Sequence, residues 1–539
     1  MNWRIVMSNR IYSSYQLLHL MKLRSNPLNC LLVTDGVGVG KTISAGYVVF
    51  HQAHIEREPT LIVCPPILVD KWKAEMSYRF DLKVRDATTN EGFELMFDEL
   101  SSGVEWEVAP IYICSYSLLS RSDSLQVPEL GLVIYDEIHS VRNAETKSFS
   151  NAKTIASSAK YKMGLSATPI NNKLGDLASI LSVLIPTLNI DDANQLVNDI
   201  WESPLIDSFS SIATRFLKEE ISEEFTKRSV HTEVIEYPEE YMTLVNQLIE
   251  ELMSQRGSTS FFERIIFYRL ASSSPKAFFK SFNTSHKKIQ FEDPKLNRLG
   301  ELLDSKTDER WLIFTEFKET AAYIEQSVDN RIILVLSGDK TGEEREAIVN
   351  IFKSEPNCVM VMTPVGSEGL DFQICSNLVN YDLHWNPMKI EQRIGRIDRI
   401  GQEKDTIFIH NFVAKGGIDE KVLEVIGGKL GLVSDTFVNI MPIVDSIHGT
   451  KSIFDQDVLE DELKKANELI SAAKFYQRFV SSDLEVIDEI DSEFCNTDNW
   501  VWLDWSTVAP WSTHCAKWVG ENQIKLNSFI EIINAYKSG

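Results

Sequence analysis

The chain has 539 residues, 43% of them hydrophobic and 24% charged, with a formal net charge of −24. That length and apolar content allow about three or four domain-sized units with sizeable cores, and nothing in the composition is fibrous or disordered. The balance of 54 Lys and Arg against 78 Asp and Glu is unlike that of a free-standing nucleic-acid binder with a basic face.

No apolar run is long enough to span a bilayer. The opening MNWRIVMSNR is broken by charge and Asn and is not a secretory signal. A soluble, cytoplasmic protein without membrane contact is expected. The 7 cysteines form no CxxC pair, so the clustered thiolates of a zinc or iron–sulfur site are missing. Cys30, Cys64 and Cys114 fall in strand-like runs and read as reduced core residues.

In chain order, Tyr15-Gln16 opens a helical pattern of Leu17, Leu18, Leu20 and Met21. The apolar run Cys30-Leu31-Leu32-Val33 then leads into VTDGVGVGKTISAG, followed by an amphipathic segment with Ile43, Gly46 or Tyr47, and Phe50 on one face. Strand, Gly-rich turn and helix form the context of a phosphate-binding loop. Gly38 and Gly40 let backbone N–H groups turn inward, and the helix N-terminus adds its positive dipole end. Lys41 is placed to reach the β- and γ-phosphates, and the Thr42 hydroxyl to help hold Mg²⁺. Asp35 stands where the general pattern has Gly.

Short buried strands follow at Leu61–Cys64, Ile111–Cys114 and Leu132–Tyr135, with Leu68, Val69 and Trp72 at helical spacing between the first two. Such strands alternating with helices predict a parallel sheet covered on both faces. The third strand ends in Asp136-Glu137-Ile138-His139. A carboxylate there suits Mg²⁺, as Asp136 would, and Glu137 suits the attacking water. Gly164-Leu165-Ser166-Ala167-Thr168-Pro169 comes next. Leu174, Leu177, Ile180, Leu181 and Leu184 keep a helical period, and residues 171 to 295 are mostly helical by pattern. Between Arg228 and Tyr237, VHTEVIEY alternates like a strand.

A second α/β unit begins near 311, with strands at Trp311–Phe314, Ile332–Leu336, Cys358–Met362, Leu378–Asn380 and Ile407–Ile409. It has no phosphate loop. It carries EQRIGRIDRIGQ, where Gln392, Arg396 and Arg399 recur about one helical turn apart and would project to one side. Arginines aimed at a developing phosphoryl charge are what arginine-finger catalysis uses, and a solvated basic face is the alternative.

Together these motifs resemble the superfamily 2 helicase-like ATPases, specifically the SNF2 branch and nearest the bacterial RapA-like group. DGVGVGKTISAG resembles that branch's first motif, which also places Asp before the glycines. Tyr15-Gln16 resembles the adenine-reading Gln motif, LIVCPPILVDKW motif Ia, DEIHSVRN the DEAH box and SATPINN motif III. LIFTEF resembles motif IV, TPVGSEGLDFQ with NYDLHWNP motif V, and QRIGRIDRIGQ motif VI. The likeness runs over about residues 10 to 430 with order and spacing kept. Ile138 replaces the usual Ala of the DEAH box, Pro364-Val365 and Ser367 depart from the usual small residues and Gly, and Asp371 stands where Asn is common.

The resemblance implies an α/β fold of two tandem RecA-like lobes with helical insertions and a helical C-terminal extension. Lobe 1 would span 1–185, a helical protrusion and linker 186–295, lobe 2 296–435 and an acidic, Trp-rich region 436–539. ATP would lie between the lobes, with Gln16 reading adenine and Gly38, Gly40, Lys41 and Thr42 holding phosphates and Mg²⁺. Asp136 and Glu137 complete the metal and water positions. His139 and Gln392 would sense the γ-phosphate while Arg396 and Arg399 close over it. Loss of such a finger typically costs ~10³-fold or more in rate. Ser166, Thr168 and Thr363 are candidates for nucleic-acid contact or interlobe coupling, with local capping as the alternative.

The activity implied is ATP-driven translocation on double-stranded DNA within a multi-subunit complex, in bacterial defence or transcription recycling. A strand-separating helicase and a nucleotide-gated scaffold with little hydrolysis are the alternatives. Ile418 to Asp435 resembles the family's bracing helix. Beyond it, residues 455 to 498 are acidic, and Trp500, Trp502, Trp505, Trp511 and Trp518 follow. Acid beside these tryptophans favours a packed core or a protein-docking patch over base stacking.

Overall fold

The computed structural model describes residues 15–415 other than 124, 126, 171–173, 203–208, 217–225, 257–260, 282–291, 365–369, 385–386 and 400–401, together with 530, 533 and 534. The expected bracing helix, the acidic stretch, the tryptophan cluster and the middle of motif V lie outside the described residues. The described residues divide into two compact units, 15–216 with 530, 533 and 534, and 226–415.

The first unit is built on seven strands: β1 (Cys30–Val33), β2 (Thr60–Cys64), β3 (Val84–Asp86), β4 (Ile111–Ser115), β5 (Leu130–Asp136), β6 (Ala159–Leu165) and β7 (Ala213–Thr214). Their order is β3-β4-β2-β5-β6-β1-β7, and every pairing is parallel. Helices α1 (Tyr15–Ser25), α2 (Lys41–His51) and α3 (Val69–Phe80) accompany this sheet. β1, β2 and β4 are buried at every residue, which is why they read as continuous apolar runs.

Two elements differ from the sequence pattern. The helix α2 is not amphipathic in its surroundings, since Ile43 through His51 are all buried. Its close approach to α3 needs Gly46, where an added Cβ would lie 2.1 Å from Cε2 of Phe80. β6 is disguised by its own sequence: Lys160 and Lys162 interrupt AKYKMGL, yet the strand sits centrally and Lys162 is 9% exposed. β3 and β7 are only three and two residues long, too short to give a period.

The second unit holds β8 (Lys227–Ile235), β9 (Trp311–Phe314), β10 (Ile333–Leu336), β11 (Val359–Met362), β12 (Asn377–Asn380) and β13 (Thr406–Ala414). Their order is β10-β11-β9-β12-β13-β8, again all parallel. Alternate residues of the strands feed opposite cores. Leu312, Phe314, Met360 and Met362 pack on one face, while Trp311, Ile313, Val359 and Val361 pack on the other. The strand expected across VHTEVIEY is β8, the edge strand of this sheet, running beside β13 along its whole length. Helices Glu239–Arg256, Phe261–Ser273 and Pro275–Ser281 form a further core with Tyr237, Tyr241, Leu248 and Phe278. Thus each of the two α/β lobes carries a parallel sheet flanked by helices.

Candidate functional site

In the first unit the register makes the carboxyl ends of three adjacent strands level: Val33 of β1 and Asp136 of β5 both pair with Leu165 of β6. The segments that leave these strands therefore meet at one edge of the sheet, where open α/β sheets bind ligands. From β1 comes the glycine-rich loop. Gly38 and Gly40 have φ of 86° and 89°, values that favour glycine. Gly40 caps α2, so the loop's N–H groups and the helix N-terminus share one end. Lys41 donates from Nζ to the carbonyls of Asp35 and Gly36, each at 2.9 Å.

Asp35 is wholly buried and ties three segments together. His19 Nε2 lies 2.8 Å from its Oδ2, while Thr214 Oγ1 and the Phe216 N–H donate to Oδ1 at 3.1 and 3.2 Å. His19 Nδ1 also lies 3.2 Å from the Gln16 carbonyl, so the helix bearing Gln16 is pinned to the loop. Burial alone would raise the Asp35 carboxyl; the His19 charge and hydrogen bond, with Lys41, more than offset it and hold it below the usual carboxylate range. Gln16 itself is 1% exposed.

From β5 come the two acids. Asp136 Oδ2 accepts from Trp72 Nε1 of α3 at 2.7 Å. Burial, and then the charge of Glu137, push the Asp136 carboxyl up to about 6 against the pull of that hydrogen bond. Glu137 adopts φ 50° and ψ 52°, left-handed backbone that costs a non-glycine residue about 1–2 kcal/mol. The turn points its carboxylate at His139, whose Nδ1 lies 3.2 Å from Glu137 Oε2 and 3.0 Å from Ser166 Oγ. Ser166 follows β6, donates its N–H to the Val33 carbonyl at 3.0 Å and accepts the Thr168 N–H on Oγ at 3.2 Å. One chain of contacts thus joins the acids, His139, Ser166 and the base of the loop.

Thr42 and Asp136 offer a hydroxyl and a carboxylate, the hard oxygen donors that suit Mg²⁺ together with substrate phosphates and water. Among the described residues no group of three or more His, Cys, Asp and Glu is placed to hold a metal alone.

In the second unit the expected motif VI helix stops early. The helix is Pro387–Ile394, and Gly395 ends it. Gln392 lies on it, but Arg396 and Arg399 lie in the turns beyond, so the three do not form one helical face; this corrects the expectation from spacing. Three-residue bonds tighten the turn, from Arg396 N to the Arg393 carbonyl and from Ile397 N to the Ile394 carbonyl. The last residues of TPVGSEGLDFQ, in motif V itself, hold it from one side. Phe372 N donates to the Arg396 carbonyl at 2.8 Å, Arg396 Nη1 donates to the Leu370 carbonyl at 3.3 Å, and Arg399 pairs with Asp371. Arg399 and Asp371 are each 24% exposed, which is not the solvated basic face weighed above.

Arg393 is 6% exposed and packs inward, donating to Asn380 Oδ1 at 3.1 Å and the Asp382 carbonyl at 2.8 Å, and pairing with Glu316. Asp382 accepts from Ser273 and Thr315 hydroxyls at 2.8 and 2.5 Å. Thr363 is 4% exposed and donates its N–H to the Leu336 carbonyl at 3.2 Å.

Sequence reasoning missed His19, Thr214 and Arg228 as members of these networks. His19 sits one turn after Gln16, a weak signal. Thr214 and Arg228 reach their partners across 179 and 163–170 residues of chain, and no local pattern marks them.

Comparison with known proteins finds two domain models along the chain. The model of the SNF2-related domain matches residues 12–254, and that of the helicase conserved C-terminal domain matches 294–401. The chain is 26% identical over 439 residues to an uncharacterised ATP-dependent helicase, YqhH, of Bacillus subtilis, covering 74% of this chain and 75% of YqhH. It is 26% identical over 448 residues to the RNA polymerase-associated protein RapA of Photobacterium profundum, covering 70% of this chain but only 45% of that relative's length. Among solved structures, the Sulfolobus solfataricus SWI2/SNF2 ATPase core in complex with dsDNA matches at 20% identity with a TM-score of 0.36, over 85% of this chain and 97% of that one. With the SNF2-related and helicase C-terminal models matched one after the other, and relatives named as ATP-dependent helicases over most of the chain, the protein belongs to the SNF2 family of helicase-like ATPases.

Proposed function

We propose that this ATPase is a motor that translocates on double-stranded DNA without separating the strands, and works with protein partners. The observation that carries the ATPase half is the level edge of β1, β6 and β5, which gathers Lys41, Asp136, Glu137, His139 and Ser166. Duplex DNA as the track is drawn from the SNF2 resemblance.

In this reading Gln16 recognises the adenine edge, and Gly38, Gly40, Lys41 and Thr42 cradle the phosphates. Thr42 and Asp136 would hold Mg²⁺, which when bound neutralises phosphate charge. Glu137 orients the attacking water and takes its proton, with its carboxylate steadied by His139. Arg396 and Arg399 meet the charge that develops on the γ-phosphate, and His139 and Gln392 report its presence. Ser166, Thr168 and Thr363 couple nucleotide state to DNA contacts made mostly to phosphates, which carry little sequence information. The acidic Trp-rich region 436–539 is the proposed docking surface for partner subunits.

The test is the ATPase rate without nucleic acid and with single-stranded DNA, duplex DNA and RNA, followed by triplex displacement. Stimulation by duplex, with the third strand displaced and the duplex intact, supports the proposal. Strand separation makes it a helicase, and a flat, very low rate in all four conditions makes it a nucleotide-gated scaffold.

A further inference from the structure

The turn bearing Arg396 and Arg399 is held by a residue from a distant part of the chain. Arg228 lies near the start of β8. Its Nε donates to Asp398 Oδ2 at 2.6 Å, and its Nη1 reaches both oxygens of Glu391 at 3.0 and 3.1 Å. Asp398 sits between the two arginines, and Glu391 sits beside Gln392 on the preceding helix. One guanidinium therefore spans the point where the helix ends and the turn begins.

The site is built rather than incidental. Arg228, Glu391 and Asp398 side chains are 13%, 19% and 2% exposed. Burial works against the charged guanidinium, and the Glu391 and Asp398 carboxylates overcome it, leaving Arg228 more firmly charged than an ordinary arginine. A planar fork satisfies two carboxylates in fixed directions, which a lysine's single ammonium does not. A buried ion pair of this kind adds little net stability over apolar packing, because desolvation offsets the attraction. What it adds is geometry. The turn after Gly395 mixes three-residue bonds with one helical bond, from Asp398 N–H to the Ile394 carbonyl at 2.9 Å, whereas β8 is zipped to β13 along its length. The 370–372 segment grips the same turn through Phe372 and Asp371.

We infer that Arg228 is the positioning residue of motif VI: it fixes, from the sheet edge, the turn that presents Arg396 and Arg399, and so governs how fast ATP is cleaved rather than how tightly it is held. This rests on the reading of those two arginines as acting on phosphoryl charge.

The test is steady-state ATPase of the full chain, with duplex DNA, for Arg228→Met, Arg228→Lys, Asp398→Asn, the Arg228→Met/Asp398→Asn double variant, and Arg399→Ala. For both Arg228 variants kcat is expected to fall about 10-fold, the scale of coupling within one charged network. KM for ATP should stay within about 2-fold, since the phosphate-binding groups are elsewhere. The double variant should be no slower than the slower single variant. Wild-type kcat in Arg228→Lys and Arg228→Met, while Arg399→Ala is slow, overturns the inference and leaves the reading of the arginines standing. Wild-type kcat in Arg399→Ala overturns that reading and the inference with it. If Arg228→Met does not fold, Arg228→Lys, which keeps charge and stem, decides: a reduced kcat at unchanged melting temperature supports the role, and an unchanged kcat refutes it. A fall in kcat matched by a lower melting temperature and a raised KM also refutes it, because that is structural damage.

Discussion

Replacing Asp35 tests whether the loop, the Gln16 helix and the 214–216 segment act as one piece. Asp35→Ala removes an acceptor from three buried partners at once: His19, the Thr214 hydroxyl and the Phe216 N–H. Three charge-assisted hydrogen bonds at about 1.5–3 kcal/mol each would sum higher. They share one carboxylate and are not additive, so the cost of breaking a buried pair by removing one partner, about 3–5 kcal/mol, is the better guide. Asp35→Asn keeps an oxygen for Thr214 and Phe216 but turns an amide N–H₂ toward His19, losing both the charge and the acceptor there, so about 1–3 kcal/mol is expected. The assay is urea unfolding of the first unit, followed by its own probe because a two-unit chain need not unfold in one step. KM for ATP should rise in the same order, Ala above Asn above wild type, as the Gln16 helix loosens. Asp35→Ala unfolding within about 1 kcal/mol of wild type, with unchanged KM, would refute the brace.

Two further outcomes follow from the buried networks. Trp72→Phe keeps the ring in its pocket but deletes the donor to Asp136; kcat should fall about 5- to 30-fold at pH 7, corresponding to 1–2 kcal/mol of lost support for the carboxylate, and an unchanged kcat would show that Asp136 needs no such support. His410 on β13 stacks on His231 at 5.1 Å and faces Glu233 and Lys306; burial, then the His231 charge, lower its pKa from 6.5 to about 4. A depressed folded-state value means the unfolded chain binds the extra proton, so this stability is present above pH 6.5 and is lost as pH falls toward 4. From pH 7 to pH 5 wild type should lose about 1–2 kcal/mol more than His410→Phe. Asp293 and Asp136, both raised to about 6, titrate in the opposite sense, so the wild-type minus variant difference is the quantity to measure. Parallel pH profiles would exclude the linkage.

The fold was legible where chemistry and burial left a local mark. Strands buried on both faces are continuous apolar runs, and Cys30–Val33 and Leu132–Tyr135 were readable for that reason. Gly38 and Gly40 announced the loop because only their left-handed backbone closes it. β6 escaped because Lys160 and Lys162 disguise a central strand, and Lys162 stays beside it by snorkelling toward its own strand's carbonyl at Lys160. In motif VI, residue spacing identified the arginines but misplaced them, since periodicity cannot see that Gly395 ends the helix. The braces were invisible for a deeper reason. Asp35 with Thr214, and Arg228 with Asp398, meet only once the chain has folded; Asp35 stood out as a loop residue, but nothing in the sequence names its partner.

The most direct measurement is duplex-stimulated ATP turnover of Glu137→Gln beside wild type, with ATP binding measured in both. Removing a general base while leaving the loop, Lys41 and Asp136 in place should lower kcat about 10²- to 10⁴-fold with ATP affinity kept within a few-fold. Turnover by Glu137→Gln at a rate near wild type would contradict the assignment of water activation to the end of β5, and with it the chemistry proposed for this edge of the sheet.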